Sequence, residues 1–200
     1  MLDNLPCLGT ERVICMVPES VVTKLAYAES RLDGLRQLIN QNTLAADALG
    51  RQQLLQEFCF HAVGATDYVA QLVNEYRALS ILKSKVSVET VASKLARLDY
   101  CDPAWKPLTS LVAKPSSQPL PEDPYSSAGM VYRLINYRNE VVHRDTNPFH
   151  FALSAGPRVA FLYLDPRHPN KGLSKDRVDV DLANIFDLIS CTCTDILKML

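Results

Sequence analysis

Several things are scarce or missing in this sequence, and each absence narrows what the chain can do. Glycine is rare, seven in 200 residues. Neither Gly-x4-Gly-Lys nor Gly-x-Gly-x-x-Gly occurs, so phosphate-cradling loops of those kinds are excluded. No Gly-x-Ser-x-Gly is present, which removes the strained serine turn of α/β hydrolases. No apolar run approaches the length of a membrane span, and the longest, such as Val159–Leu164, are strand-sized. The first segment, MLDNLPCLGTERVICMVPES, has no basic stretch ahead of an apolar one and does not read as a signal peptide. Charge of one sign is also lacking: 21 Lys and Arg face 22 Asp and Glu, a net of −1. A polyanion would find no global field here, so phosphate binding must come from a local basic cluster. No repeat of fixed period is visible.

What remains is a chain with 48% hydrophobic residues. At this length it buries enough surface to fold as one domain, 1–200, without a disulfide or metal staple. The six cysteines (Cys7, Cys15, Cys59, Cys101, Cys191, Cys193) therefore read as reduced thiols of a cytoplasmic protein. Cys191 and Cys193 diverge by about 200° on a helix. No second Cys-x-x-Cys or His-x3-His accompanies them, so no metal or other cofactor is expected.

Proline is distributed unevenly: ten of the twelve lie after residue 100. The first half is free to run as long helices. Val21, Leu25, Ala28, Leu32, Leu35 and Ile39 make one helical stripe over 19–47, with Ser20 as its N-cap after Pro18. Leu55, Phe58, Ala62, Ala65, Val69, Leu72, Tyr76 and Leu79 make a second over 51–82. Two adjacent stripes joined by a short link predict an antiparallel helical pair, with Gly50 at the turn. A shorter helix is expected over 86–99, and another turn or two over Trp105–Ala113. The stretch 114–127, KPSSQPLPEDPYSS, is a Pro- and Ser-rich loop. Helix resumes over 127–143, with Val131, Leu134, Ile135, Val141 and Val142 on one side. The period then changes: 149–154 and 158–164 read as strands with Ala155-Gly156-Pro157 as their turn. A loop over 165–175 precedes a last helix over 180–200. The expected fold class is all-α (mainly α), a helical bundle with a small β-hairpin insertion, 145–179, before the C-terminal helix.

The segment that carries chemistry is Tyr137-Arg138-Asn139-Glu140-Val141-Val142-His143-Arg144. Arg138 falls on the apolar stripe, seven residues from Val131 and three from Ile135. A guanidinium placed there needs a carboxylate, a phosphate or a subunit interface, because an unpaired buried charge costs several kcal/mol. Asn139 and His143 share a face. Arg138 and His143 are about 140° and about 7.5 Å apart on an ideal helix. Helix capping is the plainer alternative, since cations in a last turn favour the macrodipole.

The Arg138-Asn139-x3-His143 pattern, ending a late helix of a bundle, resembles the signature of the HEPN superfamily (higher eukaryotes and prokaryotes nucleotide-binding domains). The long second helix, with EFCFHAVGATDYVAQLVNEY from Glu57 to Tyr76, is also similar to that superfamily. The resemblance implies a metal-independent ribonuclease in which Arg138, Asn139 and His143 are catalytic. Cleavage by the neighbouring 2′-OH leaves a cyclic phosphate. It requires a proton carrier, which His143 can be, and fixed positive charge on the phosphorane oxygens, which Arg138 can supply. Asn139 would orient His143 or donate to phosphate. A second-helix acid, Asp67 or Glu57, is expected to hold the arginine. Family members of this kind resemble symmetric dimers with both motifs facing one cleft, and a toxin or defence role would imply a neutralising antitoxin or other protein partner. The sequence departs from a minimal domain of this type in its insertion. There Arg158, Arg167, Lys171, Lys175 and Arg177 form a basic stretch, and Arg144, Arg158 and Lys171 are its candidate RNA contacts, against the alternative of a solvated loop. The competing functional readings are a non-catalytic module that binds RNA, nucleotide or a protein partner, and a dimerisation scaffold in which Arg138 serves structure alone.

Overall fold

In the computed structural model, the structure describes residues 10–43, 47–98, 101–114, 116–143, 148–152 and 159–200, with backbone alone for 10–18, 142–143 and 151–152. The order is α1 (Thr10–Asn40), α2 (Ala48–Tyr76), a 3-10 turn (Lys83–Lys85), α3 (Val88–Leu98), α4 (Trp105–Ser110), α5 (Ser127–His143), β1 (Phe149–Ala152), β2 (Val159–Leu162), a second 3-10 turn (Pro169–Lys171) and α6 (Val178–Lys198). The chain is mainly helical, with one two-stranded antiparallel sheet ahead of the last helix. No helix among the described residues is long and apolar enough to cross a membrane.

Helix α2 is the spine, packed against α1, α5, α6 and α3. Leu55, Phe58, Ala62, Ala65, Val69 and Leu72 of its expected stripe are buried, as is Leu79 beyond the helix, whereas Tyr76 at the helix end is exposed. The buried ones meet Val21, Ala28, Leu32 and Leu35 of α1, Val131, Leu134 and Val141 of α5, and Leu182, Ile185, Ile189 and Ile196 of α6 in one continuous core. Burying a Leu or Ile side chain contributes about 1.5–3 kcal/mol relative to leaving it exposed, which is why the long periodic stripes decide the architecture.

The helix ends differ from the sequence expectation in instructive ways. Helix α1 starts at Thr10 and runs through Pro18, so Ser20 is not its N-cap. A proline forfeits one backbone bond, and Val13, Val17, Val21 and Leu25 keep a four-residue step across it. The α1–α2 turn is made by Asn42, at φ 55°, with Thr43 N donating to Leu38 O at 2.9 Å. Asparagine tolerates this left-handed conformation better than most residues. Gly50 lies inside α2 rather than at the turn: its N–H donates to the capping carboxylate of Asp47 at 2.8 Å. A Cβ at this position would collide with that carboxylate. Helix α2 stops at Tyr76, before the expected 82, because the Asn74 side chain pairs with both the N–H and the C=O of Ile81, each at 3.1 Å, and turns the chain. Ser87 and Thr90 cap α3 reciprocally.

Strands β1 and β2 pair from Phe149 opposite Leu162 to Ala152 opposite Val159. Strand β2 ends at Leu162, before the expected 164, and residues 153–158, which hold the expected end of β1, the turn at 155–157 and the expected start of β2, lie outside the described residues. Phe149, Ala160 and Leu162 are buried, so the hairpin packs on the bundle.

Candidate functional site

Helix α5 carries the motif and is buried on two sides. The apolar stripe of Val131, Leu134 and Val141 faces the core. Arg133, Asn136 and Glu140, which follow a 3.6-residue period on another face, are buried as well. A polar stripe is ordinarily a solvent face. Here the insertion and the start of α6 cover it.

That cover is held by two buried polar clusters. Arg133, 0% exposed, pairs through Nη2 with the Asp181 carboxylate, 1% exposed, in the first turn of α6. Its Nε donates to Tyr137 Oη at 2.9 Å, and the Tyr137 hydroxyl donates to Tyr163 O at 2.9 Å. The Arg133 guanidinium also lies 5.2 Å from the Tyr125 ring centroid. Burial lifts the Asp181 carboxyl above the usual carboxylate range, and the Arg133 guanidinium pulls it back. The second cluster centres on Asp165, 0% exposed, which accepts from Asn136 Nδ2 at 2.8 Å, Tyr132 Oη at 3.3 Å and Arg167 Nε at 3.0 Å. Arg167 Nη2 also donates to Tyr132 Oη.

These contacts account for two of the insertion's basic residues. Arg167 is held by Asp165, and Arg177 pairs with Asp179 at 2.7 Å, so both are internally neutralised. Burial raises the Asp179 carboxyl, but Arg177 outweighs it and holds the group below its ordinary value. Lys175 lies 4.2 Å from the Tyr125 ring centroid. Lys171 is exposed in the Pro169–Lys171 turn. Of the candidate RNA contacts, Arg144 and Arg158 lie outside the described residues.

Arg138 faces the other way. It is half-buried and lines a hollow of about 220 Å³ together with Lys24, Phe60, Gly64, Asp67 and Gln71. Helix α2 provides the floor, with Lys24 of α1 at one side and Arg138 of α5 at the other. Asp67, one of the two second-helix acids expected, lines the same hollow as the arginine: burial raises its carboxyl above the ordinary carboxylate range, and the Arg138 charge pulls it part of the way down. Glu57, the other candidate, does not take that part. Its carboxylate pairs with Arg31 Nε at 2.6 Å and accepts from Gln53 Nε2 at 2.7 Å. Asn139 is half-buried next to Arg138. The backbone of α5 continues to His143, whose side chain lies outside the described residues. Gln56 of α2 donates to Val141 O at 3.1 Å, tying the last turns of α5 to the same helix that supplies Asp67.

A second, shallower hollow of about 730 Å³ lies toward the start of α2, lined by Leu49, Gln52, Gln53, Gln56, Glu57 and Phe60. Phe60 borders both hollows. No group of three or more His, Cys, Asp or Glu suited to a metal occurs among the described residues. Cys191 is exposed and Cys193 buried, in keeping with their divergence on the helix, and burial pushes the Cys193 thiol up to about 12.

Comparison of the chain with protein-family models, with curated proteins and with solved structures returns no match.

Proposed function

We infer that this is a cytoplasmic, HEPN-like endoribonuclease that works as a homodimer without a metal ion. The observation that carries the reading is the juxtaposition of Arg138 and Asp67 across the α2–α5 hollow, at the head of the segment that ends in His143. An acid on α2 facing the motif arginine is what the Arg-Asn-x3-His pattern calls for, and it requires two residues 71 positions apart to meet.

The chemistry follows from the residue types. The substrate's 2′-oxygen attacks the adjacent phosphorus as its proton leaves. The P–O5′ bond breaks, and the 5′-oxygen gains a proton. The products are a 2′,3′-cyclic phosphate and a 5′-hydroxyl. An imidazole with an ordinary pKa of about 6.5 can carry a proton in either direction near neutrality, which is the part assigned to His143. Arg138 supplies fixed positive charge for the phosphorane oxygens. Asp67 orients that guanidinium, and Asn139 supplies a neighbouring amide donor.

The test is incubation of the purified protein with RNA in EDTA. The wild type is expected to yield fragments with cyclic phosphate ends, and His143→Ala to lose about 100-fold or more of the rate with an unchanged circular dichroism spectrum. Equal cleavage by the two proteins overturns the assignment. RNA binding without cleavage by the wild type moves the protein to the non-catalytic alternative.

A further inference from the structure

The face next to Arg138 carries an arrangement that the Arg–His motif does not use. Tyr27 of α1 and Phe60 of α2 are 49% and 53% exposed, unusually open for large aromatics on adjoining helices. Both pack on His61, which has its ring centroid 5.1 Å from Tyr27 and 5.3 Å from Phe60. Two cations of α1 flank this trio. Lys24 Nζ lies 4.7 Å from the Phe60 centroid and 3.4 Å from His61 Nδ1, while Arg31, one turn beyond Tyr27, pairs with Glu57. The Lys24 stem crosses α2 over Gly64, where even a Cβ would make only ordinary contact with Lys24 Cδ, at 3.5 Å. Burial lowers the His61 pKa, and Lys24 and Arg31 lower it further, so the ring is a neutral aromatic at pH 7.

Exposed aromatic faces alternating with cations are the chemistry of a single-stranded polynucleotide track. Bases stack on the rings irrespective of sequence, and the cations meet the phosphates. We propose that the Tyr27–Phe60 face binds unpaired bases of an RNA strand whose adjoining phosphate sits at Arg138. Continuity supports this placement, since Lys24, Phe60 and Arg138 line one hollow. The neighbouring hollow, which Phe60 also borders, lies where the strand would continue, and the Gln52 amide that lines it can pair with a base edge. Lys24 beside Phe60 favours a polyanion over an apolar protein partner, while the charge of Arg31 is already met by Glu57. Naming RNA as the ligand rests on the nuclease reading above, whereas the track itself rests on Tyr27, Phe60 and Lys24.

The experiment measures fluorescence anisotropy of a labelled 12-nucleotide oligouridylate with the full chain in EDTA. His143→Ala serves as the background, so that cleavage does not interfere. Phe60→Ala is expected to weaken binding about tenfold, in line with the loss of one stacked base. Phe60→Leu, which keeps an apolar side chain of similar size, should lose the same amount, and Phe60→Trp should retain binding. Lys24→Ala should flatten the salt dependence. A duplex of the same length should bind more weakly than the single strand and be indifferent to Phe60. Binding by Phe60→Leu and Phe60→Ala equal to that of the parent overturns the track. So does a Phe60-dependent dimer, seen by sedimentation, in a protein that binds no oligonucleotide. Cleavage of RNA that is indifferent to Phe60 sinks the track and spares the nuclease. Phe60-dependent binding by a wild type that does not cleave spares the track and sinks the nuclease.

Discussion

Arg133 and Arg138 lie five residues apart on one helix, and their surroundings share almost nothing. Arg133 has no exposed surface and is held by Asp181, by the Tyr137 hydroxyl and by the Tyr125 ring. Arg138 stands half-buried at a hollow, beside an acid whose charge burial disfavours. A guanidinium whose donors are satisfied inside the protein has nothing left to offer a ligand, so its work is structural. One that lines a hollow can exchange part of its surroundings for a phosphate. Basic residues on a single helix therefore have to be sorted by what already surrounds them, not by spacing.

The sharpest way to break this contrast is to truncate the inner pair. Arg133→Ala or Asp181→Ala is expected to lower stability by about 3–5 kcal/mol in urea denaturation, because the remaining partner becomes a buried uncompensated charge. The double change Arg133→Met with Asp181→Leu should recover most of that loss, since the desolvation cost disappears with both charges. Next in size is Asp165→Asn, expected to cost about 1–3 kcal/mol by weakening the bonds that Tyr132, Asn136 and Arg167 make to it. Amide hydrogen exchange should report faster opening of residues 165–175 in that variant.

Arg138→Ala should show the opposite profile. Stability should change by no more than about 1 kcal/mol, while RNA cleavage is lost. It should also push the Asp67 carboxyl still higher, because the one charge that opposes the effect of burial is gone. The sign follows: a carboxyl raised in the fold favours the folded state while it is protonated, so its contribution fades as pH climbs through the folded-state value. The variant should lose stability over a wider span of rising pH than the wild type, and a carbon-detected titration of Asp67 reads the cause directly. The smallest effect is expected at His61. Lys24→Ala should raise its pKa only part of the way back, as burial is the larger cause of its depression. Proton chemical shifts of the ring against pH would show this.

The elements differ in how plainly the sequence announces them. The α2 stripe was legible because seven steps of three and four residues leave one geometry that buries Phe58, Ala62 and Val69 together. The hairpin was legible from the change of period after Pro148. Asp67 could be paired with Arg138 only through resemblance to a family pattern, since no local rule joins positions 67 and 138. The inner clusters gave no signal of their own. Arg133, Asn136 and Glu140 have the spacing of a solvated face, and the carboxylates that meet Arg133 and Asn136 arrive from 48 and 29 positions away. Tyr27 and Phe60 were equally silent, because their meeting at His61 depends on how α1 slides along α2.

The distances along the chain between these partners also set an order of assembly. Helices α1 and α2 are neighbours joined by a short turn, so their contacts close small loops. Arg133 reaches Asp181 across 48 residues, after the hairpin and the 165–175 stretch have been laid down. Loop-closure entropy makes such distant contacts slow to form compared with local ones. The face bearing Tyr27, Phe60 and Lys24 belongs to the quickly formed half of the molecule. Arg138 reaches that face only when α5 docks on α2, so a chain stalled before that step would hold the aromatic face without the arginine beside it.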